Sequence, residues 1–135
     1  QLLQHLVKIL LHKRVLHKLR LLGKYFTIAI DGTGIFTYEN EPYAGCPYKT
    51  LKNGKVTYSQ SVVEAKLICA NGFSISIGTE WILNEDGANK QDCEYKATLR
   101  LLSKLHKQYP RLPICIVMGG LFLKYPIQNQ IRLYN

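Results

Sequence analysis

"TIAIDGTG", residues 27–34, decides how the rest of the chain is read. Four mostly apolar residues lead into one acid, Asp31, and then into two glycines that bracket Thr33. A short β-branched run that is apolar on both faces is the pattern of a strand buried on both sides. We therefore read Tyr25–Ile30 as a central strand, with Asp31 delivered at its end. A carboxylate in that place is either a working group or a turn aspartate that caps the Gly32 amide.

The segments on either side set the frame around that strand. Residues 2–22 read as one amphipathic helix, with Leu3, Val7, Leu10, Leu11, Val15, Leu19 and Leu22 at helical spacing and Gly23 as its stop. Lys8, Lys13, Arg14, Lys18 and Arg20 give that helix a basic face, and His5, His12 and His17 lie on its flanks. Packing on the core, contact with phosphates and contact with a membrane surface are the three uses of such a helix, and packing explains the leucines. After Asp31, residues 34–50 are rich in glycine, proline and tyrosine and read as an insertion.

Two Asn-Gly pairs, Asn53-Gly54 and Asn71-Gly72, predict two-residue hairpin turns. "VTYSQSVVEAKLICA" between them reads as a long strand, and "FSISIGTEWIL" after them alternates apolar and polar residues. A helix follows, with Asn89 as N-cap, Asp92 in its first turn, a stripe of Tyr95, Leu99, Leu102 and Leu105, and Pro110 as its stop. Ile114–Met118 is a second buried strand, and "LFLKYPIQNQ" begins a short helix ahead of Pro126. An antiparallel meander, a crossover helix and a parallel strand make a mixed sheet with helices on its faces.

Composition narrows the function. The chain has 135 residues, enough for one core, and a formal charge of +9. All nine acids lie between Asp31 and Glu94, so both ends are purely basic, which favours a polyanionic partner over an acidic one. The four cysteines, Cys46, Cys69, Cys93 and Cys115, form no C-x-x-C pair, so neither a zinc site nor a disulfide framework is indicated. No signal peptide or membrane-spanning run is present, which fits a cytoplasmic protein. Gln1 in first place and a tail, "IRLYN", without a stop signal read as a piece of a longer chain.

Three segments, "AIDGTG", "NKQDCEYKAT" and "CIVMGGLFLKYP", resemble the first strand, first helix and fourth strand of the ribonuclease H-like fold that underlies DDE transposases and retroviral-type integrases. The resemblance spans roughly residues 25–127, and within that fold the chain is most similar to a bacterial insertion-sequence transposase family. "DGTG", "NEDG..KQDCE..A..R" and "YPRLPI" carry it, the 90–94 string most specifically. The resemblance implies an α/β fold: an incomplete ribonuclease H-like mixed sheet over residues 24–135, preceded by the basic helix of residues 1–23. It implies metal-dependent DNA cleavage and strand transfer in the bacterial cytoplasm, at the nucleoid, on insertion-sequence ends and target DNA.

That chemistry uses two Mg²⁺ ions held about 4 Å apart by carboxylates, one activating the nucleophile and one easing the leaving oxygen. Asp31 stands where the resemblance places the shared ligand. The second acid of the family would stand at the end of "ICIVM", where this chain has Gly119. The third would come from a later helix, and no acid follows Glu94. Glu94 matches the helix carboxylate that ribonuclease H-type nucleases add to the metal, or is a first-turn acid favoured by the helix dipole. Glu80 is a lesser candidate that could pair with a lysine, and Glu39 and Glu41 read as surface residues.

The expected chain is thus an inactive transposase fragment. A second reading is a non-catalytic DNA-binding or interaction fragment that holds the backbone through Lys8, Lys13, Arg14, Lys18 and Arg20. A third, the phosphate loop of actin-like and sugar-kinase ATPases, would need one residue between the acid and Gly-Thr, and here Gly32 follows Asp31 directly. The missing sheet edge and the leucine-rich helix also point to self-association.

Overall fold

The computed structural model describes residues 2–44, 46–83, 90–120 and 125–134. In chain order these form α1 (Leu2–His12), a 3₁₀ turn (Val15–Leu19), β1 (Phe26–Tyr38), β2 (Tyr48–Thr50), β3 (Val56–Ile68), β4 (Ser74–Trp81), α2 (Lys90–Gln108), β5 (Ile114–Met118) and α3 (Tyr125–Tyr134). The described residues form a mixed α/β fold: one five-stranded sheet and three α-helices. Among the described residues no helix is long and apolar enough to cross a membrane.

β1 is the central strand. It pairs antiparallel with β3 from Thr27↔Ile68 to Tyr38↔Tyr58, and parallel with β5 from Phe26↔Ile114 to Ile30↔Met118. β3 carries β4 along half of its other side and the short β2 along the rest. Both Asn-Gly pairs turn the chain, but in three-residue loops rather than the expected two-residue ones: Leu51 N donates to the Lys55 carbonyl and Cys69 N to the Phe73 carbonyl. Gly54 has φ 79° and Gly72 has φ 83°, a left-handed backbone that glycine adopts without a Cβ penalty. In each turn the asparagine Oδ1 accepts from the amide two residues on, Lys55 N at 3.1 Å and Phe73 N at 3.2 Å.

One face of the sheet holds the core. Ile28, Ile30, Val63, Ala65, Leu67, Ile75 and Ile77 are buried there beneath Ala97, Leu101, Leu102 and Leu105 of α2. Val7 of α1, Leu16 and Ile127 of α3 join the same cluster. Gly78 lets α2 come close: a Cβ there would stand 3.0 Å from Leu101 Cδ1 and 3.2 Å from Leu105 Cδ2. Thr98, fully buried on α2, satisfies its hydroxyl by donating to the Glu94 carbonyl one turn back at 2.8 Å.

Four elements differ from the sequence reading. The helix expected over residues 2–22 ends at His12. Arg14 takes a left-handed φ of 57°, and a 3₁₀ turn follows. Val7 and Leu16 explain the break. In a continuous helix they would lie about 180° apart, and only an interruption turns both into the core. Val15 and Leu22 of the expected stripe are exposed instead. Second, the strand does not stop at Ile30. It runs through Asp31 to Tyr38, because Ile35, Phe36, Thr37 and Tyr38 are strong strand formers and β3 is long enough to pair with them. The insertion therefore shrinks to residues 39–47, which lie against β3: Ser59 N donates to the Pro47 carbonyl, and Gln60 Nε2 to Tyr43 Oη. Third, β1 pairs with β3 rather than β2, so the strands are not a simple meander. Fourth, Pro126 lies inside the first turn of α3, where a missing amide costs no helical bond. The N-cap reading of Asn89 lies outside the described residues, as do the side chains of Asp92 and Cys93.

Candidate functional site

The "DGTG" stretch is not a turn. Asp31, Gly32, Thr33 and Gly34 pair with Glu64, Val63, Val62 and Ser61 in unbroken register. This disposes of the phosphate-loop reading, which requires the backbone to curl around an anion. Successive strand residues face opposite sides. Ile28, Ile30 and Gly32 therefore share the face that α2 covers, while Thr27, Ala29, Asp31 and Thr33 share the other, more exposed face.

The amide of Gly32 explains how the Asp31 carboxylate is held. Phe26 N donates to the Pro113 carbonyl, so the even-numbered amides of this half of β1 point toward β5. The β1–β5 pairing ends at Ile30↔Met118. Gly32 N is the next amide on that side, and it donates to Asp31 Oδ1 at 2.9 Å. Asp31 thus caps the first amide beyond the end of β5.

Glu94 approaches the same point from the opposite face. A Cβ on Gly32 would lie 3.3 Å from both Cδ and Oε1 of Glu94. The glycine is the gap into which the first-turn carboxylate of α2 fits. Gly119 is the residue after Met118, where β1 and β5 part. The structure therefore brings Glu94 against Gly32, next to Asp31, while Gly119 directly follows the last residue of β5 paired with β1. Asp31 and Glu94 lie on opposite faces of β1.

The sequence reading overlooked Glu64. It stands directly across from Asp31 on β3, on the same exposed face, and pairs with Lys66 at 3.3 Å. Only the β1–β3 register reveals it, and that register depends on the strand running past Asp31. Glu80 holds α2 to β4. Its carboxylate, 11% exposed, accepts from Arg100 Nε at 3.0 Å and pairs with Lys104 Nζ, while Arg100 Nη2 donates to the Trp81 carbonyl at 2.9 Å. Glu39 pairs with Lys55 at 2.7 Å, and that lysine holds its carboxyl below the usual range. Cys46, Cys69 and Cys115 are free thiols, and burial pushes the Cys69 thiol up.

These residues do not fit a two-metal centre. Two Mg²⁺ ions need several carboxylates converging from one side. Among the described residues no three His, Cys, Asp or Glu side chains converge. Asp31 already accepts from Gly32, and residue 119 has no side chain to offer.

The basic residues are spread over the N-terminal segment. Lys8, Lys13, Arg14 and Lys18 are exposed. Arg20 is engaged in the fold: its Nε donates to the His17 carbonyl at 3.0 Å and its guanidinium lies 6.0 Å from the Phe26 ring centroid.

Comparison of the chain with protein-family models, with curated proteins and with solved structures found no significant match in any of the three.

Proposed function

We propose that this chain is a ribonuclease H-like domain of the DDE-transposase type that has lost strand-transfer chemistry and keeps an electrostatic hold on DNA. One observation carries the reading: the parallel β1–β5 ladder ends at Ile30↔Met118, so Asp31 and residue 119 are the residues that directly follow its last pair. That placement is the one the fold family would use for its first two acids. The position of Glu94 over Gly32 supports it further, because the first-helix carboxylate reaches the same spot. With glycine at 119, the described acids around Asp31 are Glu64 across from it, which pairs with Lys66, and Glu94 on the other face, and no three of the described side chains converge on one point.

DNA binding rests on charge. No acid occurs before Asp31 or after Glu94, and four cationic side chains of the N-terminal segment are exposed. Contacts of this kind are to phosphates and carry little sequence choice. A Mn²⁺-binding titration tests the first part. The wild-type chain is expected to show no saturable site, and Gly119→Asp is expected to gain one that Asp31→Asn removes. Failure of Gly119→Asp to bind Mn²⁺ while remaining folded would argue against the ribonuclease H-like assignment.

A further inference from the structure

A bulge at Ile35 reverses the alternation of β1. Up to Gly34 the even residues face α2: Gly32 and Gly34 pair with Val63 and Ser61, which share that face with the buried Ala65 and Leu67. Past the bulge Phe36 pairs with Gln60 and Tyr38 with Tyr58, so both rings turn to the other face. Tyr58 is paired in turn with Tyr48 of β2. Three neighbouring strands thus carry one row, Tyr38, Tyr58 and Tyr48, with Phe36 beside it on β1.

The rings are set against one another. Those of Tyr48 and Tyr58 have centroids 6.0 Å apart, and those of Phe36 and Tyr38 6.2 Å. Gln60 ties the row to the insertion: its Oε1 accepts from Tyr38 Oη at 3.4 Å, and its Nε2 donates to Tyr43 Oη at 3.1 Å. The core cluster, with its members from α1, α2 and α3, includes none of these aromatics. Phe36 is 54% exposed and Tyr48 62% exposed. Cross-strand pairing explains the ring contacts. It does not explain rings left half open to water.

Charge narrows what would cover them. Between residues 36 and 60 three lysines stand against two glutamates. Lys55 is held by Glu39. Lys49 and Lys52, both exposed, meet no acid among the described residues. Open rings suit a flat ligand, and the two free lysines select one that carries negative charge. A nucleobase on its phosphate backbone offers both. In a duplex the base faces are covered by their neighbours, so a row of this kind needs unpaired bases.

We propose that the row is a stacking platform for the bases of a single-stranded nucleic acid, with Lys49 and Lys52 on its phosphates. The ligand class rests on the DNA reading above, and the demand for unpaired bases goes beyond it. Phe36 and Tyr48, the most exposed rings, take the bases. Fluorescence anisotropy with three probes of equal length tests this: an oligothymidylate, an abasic oligodeoxynucleotide and a duplex. Wild type is expected to prefer the oligothymidylate over the abasic strand at least about fivefold. Phe36→Ala with Tyr48→Ala, checked by circular dichroism to be folded, should erase that preference and leave duplex binding unchanged. Tyr48→Trp should keep it, with the new indole emission quenched by the oligothymidylate and not by the abasic strand. Lys8→Glu with Lys13→Glu should weaken all three probes alike and keep the preference, which separates this platform from the phosphate hold of the N-terminal segment. Duplex binding without a preference for bases overturns the platform alone, as does a preference that the two alanines leave intact. Binding to none of the probes overturns the platform and the DNA reading together. A base preference without duplex binding upholds the platform and removes the N-terminal hold.

Discussion

Gly78 and Gly32 show what a missing side chain does in this fold. At Gly78 an added methyl group would press on Leu101 and Leu105, both buried and fixed in the core. Gly78→Ala is expected to cost roughly 1–3 kcal/mol in urea denaturation, the usual penalty of overpacking. At Gly32 the neighbour is the far end of the Glu94 side chain, which can swing away. Gly32→Ala is therefore expected to change stability by less than about 1 kcal/mol. Equal penalties at the two glycines would mean that Glu94 is held far more rigidly than a first-turn carboxylate should be. Asp31 was legible in the sequence as an acid at the end of a central strand, although that strand runs on to Tyr38. Its bond to the Gly32 amide was one of the two readings the sequence offered, whereas Glu64 across from it was not legible, because it depends on a register that local patterns do not encode.

The elements were mostly legible, and their failures share a cause. Hairpin turns are local: Asn53-Gly54 and Asn71-Gly72 carry the left-handed glycine and the asparagine acceptor within four residues. The break after His12 and the extension of β1 to Tyr38 are set by distant partners, the core contacts of Val7 and Leu16 and the length of β3. Two predictions belong at this scale. Glu80→Gln removes the anion that ties Arg100 and Lys104 of α2 to β4 and leaves two cations side by side. A loss of about 1–2 kcal/mol is expected, shrinking at high salt, in denaturation at two ionic strengths. Tyr109, just past α2, buries its hydroxyl with no hydrogen-bond partner among the described residues, and desolvation raises its pKa. The folded state therefore holds that proton more tightly than the unfolded state does. This contribution to stability is complete below the unfolded value of about 10 and is lost as pH rises past it. Tyr109→Phe should remove that part of the alkaline decline and, by deleting an unsatisfied group, leave stability at neutral pH unchanged or higher by up to about 1 kcal/mol.

For the whole molecule, charge and the site at Gly32 make the same case from different sides. A chain with all its acids in the middle and bases at both ends should bind duplex DNA through phosphates. Fluorescence anisotropy is expected to give a log–log salt slope of roughly −3 to −4 if the four exposed cations of the N-terminal segment each meet one phosphate. Lys8→Glu with Lys13→Glu should weaken binding to every sequence alike. The overall α/β class and the mixed sheet follow from the order of apolar runs. The approach of Glu94 to Gly32, and the place of Asp31 and Gly119 just past the last β1–β5 pair, emerge only when the helix and the parallel strand are set beside the central one. On the proposed reading, residue 119 is the position on which the chemistry would turn. A plasmid-nicking assay with Mg²⁺ or Mn²⁺ tests it most directly. No cleavage above background is expected from the wild-type chain, and clear cleavage abolished by Asp31→Ala would contradict the account.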